Sequence, residues 1–503
     1  MPRNASIVLL LITAVGGGCA PSDERQGDDE NLPVGLSLSQ ARSADGSFVS
    51  WREHLVDDIS TAGPELSGSD GLVMADLDLD GYLDIVSVHE SDVTYDGVAE
   101  GLVRISFGSG DPDVWESITL AQGAEAAAAE DAAVGDMNGD GYPDVVVAAE
   151  LAHLIYFENP GPDARTSHWE RLIPRVTTGR GSFIRVFLAD FDEDGRPEVV
   201  AANKGDQEGD AETLNTISWF ELTGDPLDDD AWVEHELTRV IWPINSQPVD
   251  LDGDGDLDVV GGSVAETRIM WFENLAGDEV AFAEHDIRIE GTFSRSGTGR
   301  EGEAPAEGEG DSAGGGGARH GVNGFNMDFA DLNGDGRLDI VTNEFFHHLV
   351  WLEQPSTPDD PWRLHSIGTF EPDELVGFVQ ADIDQDGDVD FMAGGYSRGP
   401  RAEDGEVTTG DPLGRLAWFA NPGDPAGRWT RHDISRRKRG MFDKFVARDM
   451  DGDGDVDFVS TRGNSHPFDG VLWLEQLRSP EPRQNFLRAR EVDSEEAALP
   501  GGR

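Results

Sequence analysis

The sequence predicts an all-β chain: a seven-bladed β-propeller of four-stranded antiparallel blades, closed by a strand from near the N-terminus. Three observations predict it. A nine-residue acidic pattern followed by a β-branched run recurs seven times, beginning at Asp76, Asp136, Asp190, Asp250, Asp331, Asp382 and Asp449. An apolar strand with an aromatic pair and a polar turn follows each one, as in Tyr156-Phe157-Glu158-Asn159-Pro160 and Trp271-Phe272-Glu273-Asn274. An aromatic residue, often with a histidine three further on as in Trp232 with His235, closes each period; Trp115 and Trp169 lack that histidine, and the seventh copy lies ahead of all the others, at Trp51 to His54.

The composition agrees. The chain has 503 residues with 62 Gly, 26 Pro, 12 Trp and 23 Phe. So much turn chemistry excludes an all-helical fold, and the aromatic content excludes wholesale disorder. A single cysteine excludes an internal disulfide framework and a multi-Cys zinc site. With 100 Asp+Glu against 37 Lys+Arg the formal charge is -63, which excludes nucleic acid as a partner. Such acidity favours cation binding, solubility or a saline setting.

The N-terminus reads as an export signal over residues 1–19. Arg3 precedes an apolar run from Ala5 to Val15, then Gly16 to Gly18 and Cys19. The run is too short to span a bilayer. The cysteine placed after small residues resembles the lipobox of bacterial lipoproteins, which implies lipidation at Cys19. The alternative is ordinary cleavage and free secretion. Residues 20–47 are polar and read as a flexible tether. The expected location is outside the cytoplasm, on the bacterial outer membrane or cell surface, with the membrane met only through the lipid.

The propeller follows over residues 48–477. Successive acidic segments start 60, 54, 60, 81, 51 and 67 residues apart, a period that means a repeated supersecondary unit. Each unit reads as strand, acidic loop, strand, loop, Trp-Phe-Glu strand, turn, Trp-x-x-His strand. Four antiparallel strands per unit make a propeller blade. The last unit stops after Trp473 without a fourth strand, and the Trp51 segment is free to supply it. The aromatic ladder reads as packing between blades. The histidines at equivalent slots (His54, His235, His285, His365 and His432) read as packing or hydrogen bonding. Residues 291–321 form a Gly- and Glu-rich low-complexity insertion, and 478–503 a polar tail without strand pattern.

The acidic segments have the chemistry of calcium loops. Calcium takes six to eight oxygen ligands. Side chains at positions 1, 3 and 5 converge, glycine at position 6 permits the turn, position 7 offers a carbonyl and position 9 a further carboxylate. The expected ligand sets follow in order. The first is Asp76, Asp78, Asp80, Tyr82 and Asp84; the second is Asp136, Asn138, Asp140, Tyr142 and Asp144. The third is Asp190, Asp192, Asp194, Arg196 and Glu198; the fourth is Asp250, Asp252, Asp254, Asp256 and Asp258. The fifth is Asp331, Asn333, Asp335, Arg337 and Asp339; the sixth is Asp382, Asp384, Asp386, Asp388 and Asp390. The seventh is Asp449, Asp451, Asp453, Asp455 and Asp457. Up to seven ions are expected. An EF-hand is rejected, because it needs a bidentate Glu at position 12, where these loops carry Ser87, Val147, Ala201, Gly261, Thr342, Ala393 and Ser460.

These loops and the Asp-Ile-Val or Asp-Val-Val runs after them resemble FG-GAP/VCBS-type repeats, the calcium-binding propeller repeats related to those of integrin α-subunits. The resemblance covers residues 48 to 477. It implies a propeller with calcium on the loops between first and second strands, at one face. The Phe-Gly and Gly-Ala-Pro signatures of the integrin version are mostly missing, and the Trp-Phe-Glu-Asn-Pro version looks more like that of secreted bacterial proteins. The family does not fix a function.

The opposite face carries the variable loops. His89, Asn203, Lys204, Asn343, Glu344, Arg462 and His466 lie at or beyond the ends of second strands and are candidates to ring a ligand site. The basic run Arg436 to Arg439 either docks an anion or offsets neighbouring carboxylates. No nucleophile elbow, phosphate loop, dinucleotide fingerprint or His-Glu-x-x-His is present, and no catalytic residue is assigned. The expectation is a monomeric binding or adhesion module for a glycan, matrix or protein ligand. The alternatives are a carbohydrate-active lyase or hydrolase using the loop face, and a repeat scaffold within a larger surface assembly.

Overall fold

The computed structural model describes residues 32–60, 63–90, 101–150, 153–205, 213–275, 277, 280–291, 321–357, 360–397 and 407–500. The export segment, Cys19, the first part of the tether and nearly all of the 291–321 insertion lie outside them. The described residues form seven antiparallel sheets, with no helix longer than a short 3-10 turn.

Blade 1 is built from Ser69–Ala75, Asp84–His89, Leu102–Phe107 and Glu116–Gln122. Blade 2 runs Ala129–Gly135, Asp144–Ala149, Leu154–Phe157 and Arg171–Leu172, and blade 3 Ser182–Ala189, Glu198–Gly205, Leu214–Leu222 and Trp232–Ile241. Blade 4 is Pro243–Val249, Asp258–Ser263, Arg268–Asn274 and Phe282–Asp286; blade 5 is Val322–Ala330, Asp339–Glu344, His348–Glu353 and Trp362–Thr369. Blade 6 is Glu374–Ala381, Asp390–Tyr396, Gly414–Ala420 and Thr430–Arg437. Blade 7 takes Phe445–Arg448, Asp457–Arg462 and Gly470–Ser479 from the C-terminal part, and its fourth strand is Phe48–Asp58. That strand pairs antiparallel from Phe48 with Ser479 to Asp58 with Gly470, so the displaced Trp51 copy closes the ring as the sequence predicts.

The innermost strands touch their neighbours all the way round, from blade 1 to blade 2 and on to blade 7 and back to blade 1. The apolar core is accordingly divided. One buried cluster lies between each successive pair of blades, the last joining blades 7 and 1 through Val56, Leu72, Ile85, Val459 and Trp473. The propeller is thus held by seven interfaces of one kind, and burial of Trp351, Trp362 and Trp418 to 1 % exposure places the aromatic ladder in them. The third-strand tryptophans also carry a ring partner. His54 stacks on Trp473 at 4.0 Å, His235 on Trp219 at 4.2 Å and His365 on Trp351 at 4.2 Å, while their Nε2 atoms meet Glu475, Glu221 and Glu353. The repeated histidines are packing and hydrogen-bonding groups.

The polar tail is not free of structure. Phe486–Leu487 adds a parallel fifth strand outside Phe48–Asp58, covering the edge of the closing blade. Asn485 donates to the carbonyls of Asp433 and Ile434, and Ala497 N–H to the carbonyl of Arg436. Part of the segment read as a tether is also docked: Val34 and Ala41 are buried, and the Ala44 N–H reaches the Asp384 carbonyl in the sixth acidic loop. A polar sequence hides these contacts because they are mostly main-chain and ionic.

Candidate functional site

All seven acidic segments join the first strand of a blade to the second, so they share one end of the propeller. Their backbones are held by the acidic side chains themselves. Position 1 accepts from the glycine at position 6, as Asp76 Oδ2 does from Gly81 N–H at 2.9 Å and Asp331 Oδ2 from Gly336 N–H at 2.9 Å. Position 3 accepts from position 5, and position 5 from position 7, as in Asn138 from Asp140 and Asp140 from Tyr142, both at 2.9 Å. The position-6 glycines all sit in the left-handed region, at φ from 87° for Gly336 to 106° for Gly255, where a side chain is strained. Position 4 is left-handed too, and there Leu79, Glu193 and Gln385 replace the glycine of the other four loops.

Position 9 does more than line the loop. Asp84, Asp144, Asp258, Asp339, Asp390 and Asp457 each accept, through Oδ2, the N–H of position 2, and through Oδ1 an N–H in the end of the third strand or just past it. These carboxylates are buried struts tying acidic loop to third strand. Burial pushes Asp84 and Asp258 up to about 6, Asp144, Glu198, Asp339 and Asp457 to about 7, and Asp390 to about 8. A bound cation would favour the ionised forms instead.

The donor set fits a hard cation. Carboxylate oxygens of Asp76, Asp78 and Asp84 lie within 4.8 Å of one another, as do those of Asp382, Asp384 and Asp390. In the third and fourth loops the converging trios are Asp190, Asp192, Asp194 and Asp250, Asp252, Asp254, so position 5 stands in for position 9. Oδ1 of Asp78 and Oδ1 of Asp455 are buried with no hydrogen-bond partner, an arrangement a cation would complete. The loops are not equivalent, however. Arg165, from blade 2, pairs with Asp78 and, at 2.7 Å, with Asp80, placing a guanidinium at the first loop. Arg196 and Arg337, expected to offer only carbonyls, turn their side chains back onto Asp194 and Asp335.

The polar residue after the Trp-Phe-Glu strand is a functional position that the sequence reading passed over. Asn159 donates to the carbonyl of Leu77 in the preceding blade's loop, Asn274 to Phe191, Gln354 to Leu251 and Gln476 to Ile383. Each amide ties its own blade to the acidic loop before it. The signal was present as the recurrent Asn or Gln.

The opposite end differs in every blade. His89 is buried between the hydroxyls of Ser69 and Ser87, and burial pushes it down to about 4. Asn203, Asn343 and Glu344 are buried, and Arg462 is clamped by Asp493 at 2.7 Å. Lys204 pairs with Glu150, and His466 faces Glu65 at 3.4 Å. Most of the candidates are therefore buried rather than forming one exposed ring, and only Lys204 among them lines the cavity at this end. In the basic run, Arg436 pairs with Asp373, Arg437 with Glu53 and Asp493, and Lys438 with Glu495, so these cations offset carboxylates. A cavity of about 220 Å³ opens at this end, with Asp70, Glu90, Glu130, Glu150 and Lys204 on one side. Ile184, Phe325, Phe346, Leu375 and Met441 form its apolar wall. Burial, then Asp70 and Glu150, push Glu130 well above the ordinary carboxylate range.

Fold and loops together define a repeat β-propeller with an acidic loop in each blade. Residues 76–147, 136–201 and 190–261 match the family model described as an FG-GAP-like repeat. Residues 76–261 of the propeller thus carry FG-GAP-like repeats, and the later acidic loops are built on the same plan as the matched ones. No curated protein matches the chain. Among solved structures it is similar to a chain of the crystal structure of BBS1N in complex with ARL6DN, at 10% identity and TM-score 0.43, over 86% of this chain and 98% of that one. It is also similar to YCF48 from Cyanidioschyzon merolae, at 9% identity and TM-score 0.44, over 84% and 98%.

Proposed function

We propose that the protein is an extracytoplasmic, calcium-stabilised propeller that binds a glycan, matrix or protein ligand at the end away from its acidic loops. The observation that carries this is the contrast between the ends. Seven loops of one design lie at one end, at least four of them with converging carboxylate oxygens, while the other end is chemically unequal from blade to blade and holds the polar-apolar cavity. Repetition suits a structural ion, and asymmetry suits recognition of one ligand. His89, Asn203, Lys204 and Arg462 are engaged in internal bonds, which favours binding over turnover. Export through residues 1–19 and lipidation at Cys19 complete the proposal, with the propeller displayed at a bacterial surface as a monomer.

Calcium removal is the test. An ion bound only by the folded state stabilises it by about 2.7 kcal/mol per site at a hundredfold excess over Kd. The melting temperature, followed by calorimetry, should therefore fall by many degrees in chelator and recover with calcium. An unchanged melting curve would sink the calcium reading. Incubation with a polysaccharide panel then separates binding from catalysis: retention without new chain ends supports a module, and new chain ends refute it.

A further inference from the structure

The first acidic loop receives a cation from the neighbouring blade. Arg165 stands in the turn between the third and fourth strands of blade 2, four residues before Trp169. In the other blades the residue four before the matching aromatic is Asp111, Asp228, Asp278, Pro358, Pro425 or Ser47, so a cation at this place is peculiar to blade 2. Its Nε donates to Asp78 Oδ2, and its Nη2 to Asp80 at 2.7 Å and to the Gly108 carbonyl at 3.3 Å. One side chain thus engages positions 3 and 5 of the loop, two positions that a calcium ion would need together. Among the described residues, no other loop has an ion pair at position 3. Arg196 and Arg337 meet position 5 of their own loops, and Arg478 meets Asp455 at position 7.

Blade 1 also departs from the others where the guanidinium rests. The Glu of the Trp-Phe-Glu segment is Glu158, Glu221, Glu273, Glu353 and Glu475 in blades 2, 3, 4, 5 and 7. Strand pairing places Phe107 at that position in blade 1, since Ile85 faces Ser106 as Val145 faces Phe157. The Arg165 guanidinium lies over the Phe107 ring, 4.9 Å from its centre, where the ring face attracts a cation.

The loop nonetheless keeps the shape of an ion site. Asp76, Asp78 and Asp84 converge as Asp382, Asp384 and Asp390 do in the sixth loop, and Asp78 Oδ1 has no hydrogen-bond partner. The difference is that the chain itself supplies the charge. A calcium ion at Asp78 and Asp80 would have to displace a guanidinium held by charge-assisted hydrogen bonds, or sit against a like charge.

We propose that Arg165 is the resident cation of the first acidic loop. It neutralises Asp78 and Asp80 in place of calcium and ties blade 2 to blade 1 without an ion, and the loop is a latent calcium site that fills only when this side chain is removed. The inference rests on the calcium reading of the other loops, of which six at most then remain for the ion.

The experiment is anomalous diffraction from crystals of the full chain soaked in calcium, wild type beside Arg165→Gln, with equilibrium dialysis of both proteins. Wild type is expected to show calcium at other loops and none at Asp78 and Asp80. The variant should gain a peak about 2.3–2.6 Å from oxygens of Asp76, Asp78 and Asp80, and bind one more ion per chain. Arg165→Ala gives the same readout should the first variant fail to fold. Calcium on the first loop of the wild type overturns the proposal and leaves the reading of the other loops standing. A first loop that stays empty in the variant while other loops fill has the same consequence. No calcium on any loop of either protein overturns both.

Discussion

At the acidic-loop end of this propeller the blades repeat one solution: the same backbone turn in all seven, the same Asp strut in six, and in four an Asn or Gln tie to the preceding blade. At the other end the blades fall into unlike groups. Blades 1 and 2 contribute carboxylates, blade 3 a lysine, and blades 6 and 7 arginines locked to the C-terminal tail. The repeated end is stabilised by many small equal contributions, so no single residue there should be decisive. The irregular end concentrates buried charge in a few groups, and single substitutions should cost more.

The largest effect of one substitution is expected at Asp493. Its carboxylate is fully buried and holds Arg462 at 2.7 Å and Arg437 at 3.1 Å. Asp493→Ala leaves two buried guanidinium groups short of a partner, a loss of about 3–5 kcal/mol. Burial would raise the carboxyl, but Arg462 and Arg437 outweigh it and hold it well below the usual range. A depressed folded value stabilises above the unfolded one and loses that contribution as pH falls below it. The gap between wild type and Asp493→Asn in urea melts should therefore close in acid. A gap that stays constant to low pH would break the account.

This latch also shows where sequence reading stops. Blades, ring closure and acidic loops were legible because each is a pattern that repeats, and the displaced Trp51 copy located the closing strand. The tail was not legible. Its strand is two residues long, and what it buries is charge, so hydrophobic periodicity passes over Asp493 and Glu496. The run from Arg436 to Arg439 read as an anion dock or a counter-charge because its partners Glu53, Asp373 and Asp493 lie far off in sequence. The burial of the candidate rim residues was not legible, since strand position alone does not say which way a second-strand terminus faces.

Asp469 is the next test of the irregular end. It is 1 % exposed, accepts the Gly68 N–H at 3.0 Å through Oδ1, and leaves Oδ2 without a hydrogen bond. Burial pushes it up to about 6 from an ordinary 3.8. The folded state thus holds a proton that the unfolded state has released between those values, and stability falls as pH rises through that window. At roughly 1.4 kcal/mol per pH unit the cost above pH 6 is about 3 kcal/mol. Asp469→Asn, which keeps an oxygen for Gly68, should be stabilising at pH 7 and neutral near pH 4. A pH-independent difference would show that the carboxylate is not strained by burial.

Repetition predicts smaller effects at the loop end. Asn159 Nδ2 donates to the carbonyls of Leu77 and Pro143, both at 2.8 Å. Asn159→Ala leaves those acceptors unpaired and should cost about 1–3 kcal/mol. Gln476→Ala, at the equivalent place in blade 7, should cost a similar amount. A much larger loss at Gln476 would mean that ring closure is the weak seam, and the equivalence of the blades would fail.

The smallest expected effect tests whether the seven loops obey one backbone rule. Leu79 occupies position 4 of the first loop at φ 57°, where four of the other loops have glycine. Its side chain is 54 % exposed and has little packing to lose. A left-handed conformation costs a non-glycine residue about 1–2 kcal/mol, while glycine adds about 0.5–1 kcal/mol of unfolded-state entropy. Leu79→Gly should therefore stabilise the protein by up to about 1 kcal/mol, with Leu79→Ala close to wild type because it retains the strain. Equal melting temperatures for both variants would place the first loop outside the shared rule. Arg165, the guanidinium seated on Asp78 and Asp80, is the residue that would then set it apart, because a loop supplied with an internal cation is under less pressure to keep the turn that shapes it for a free one.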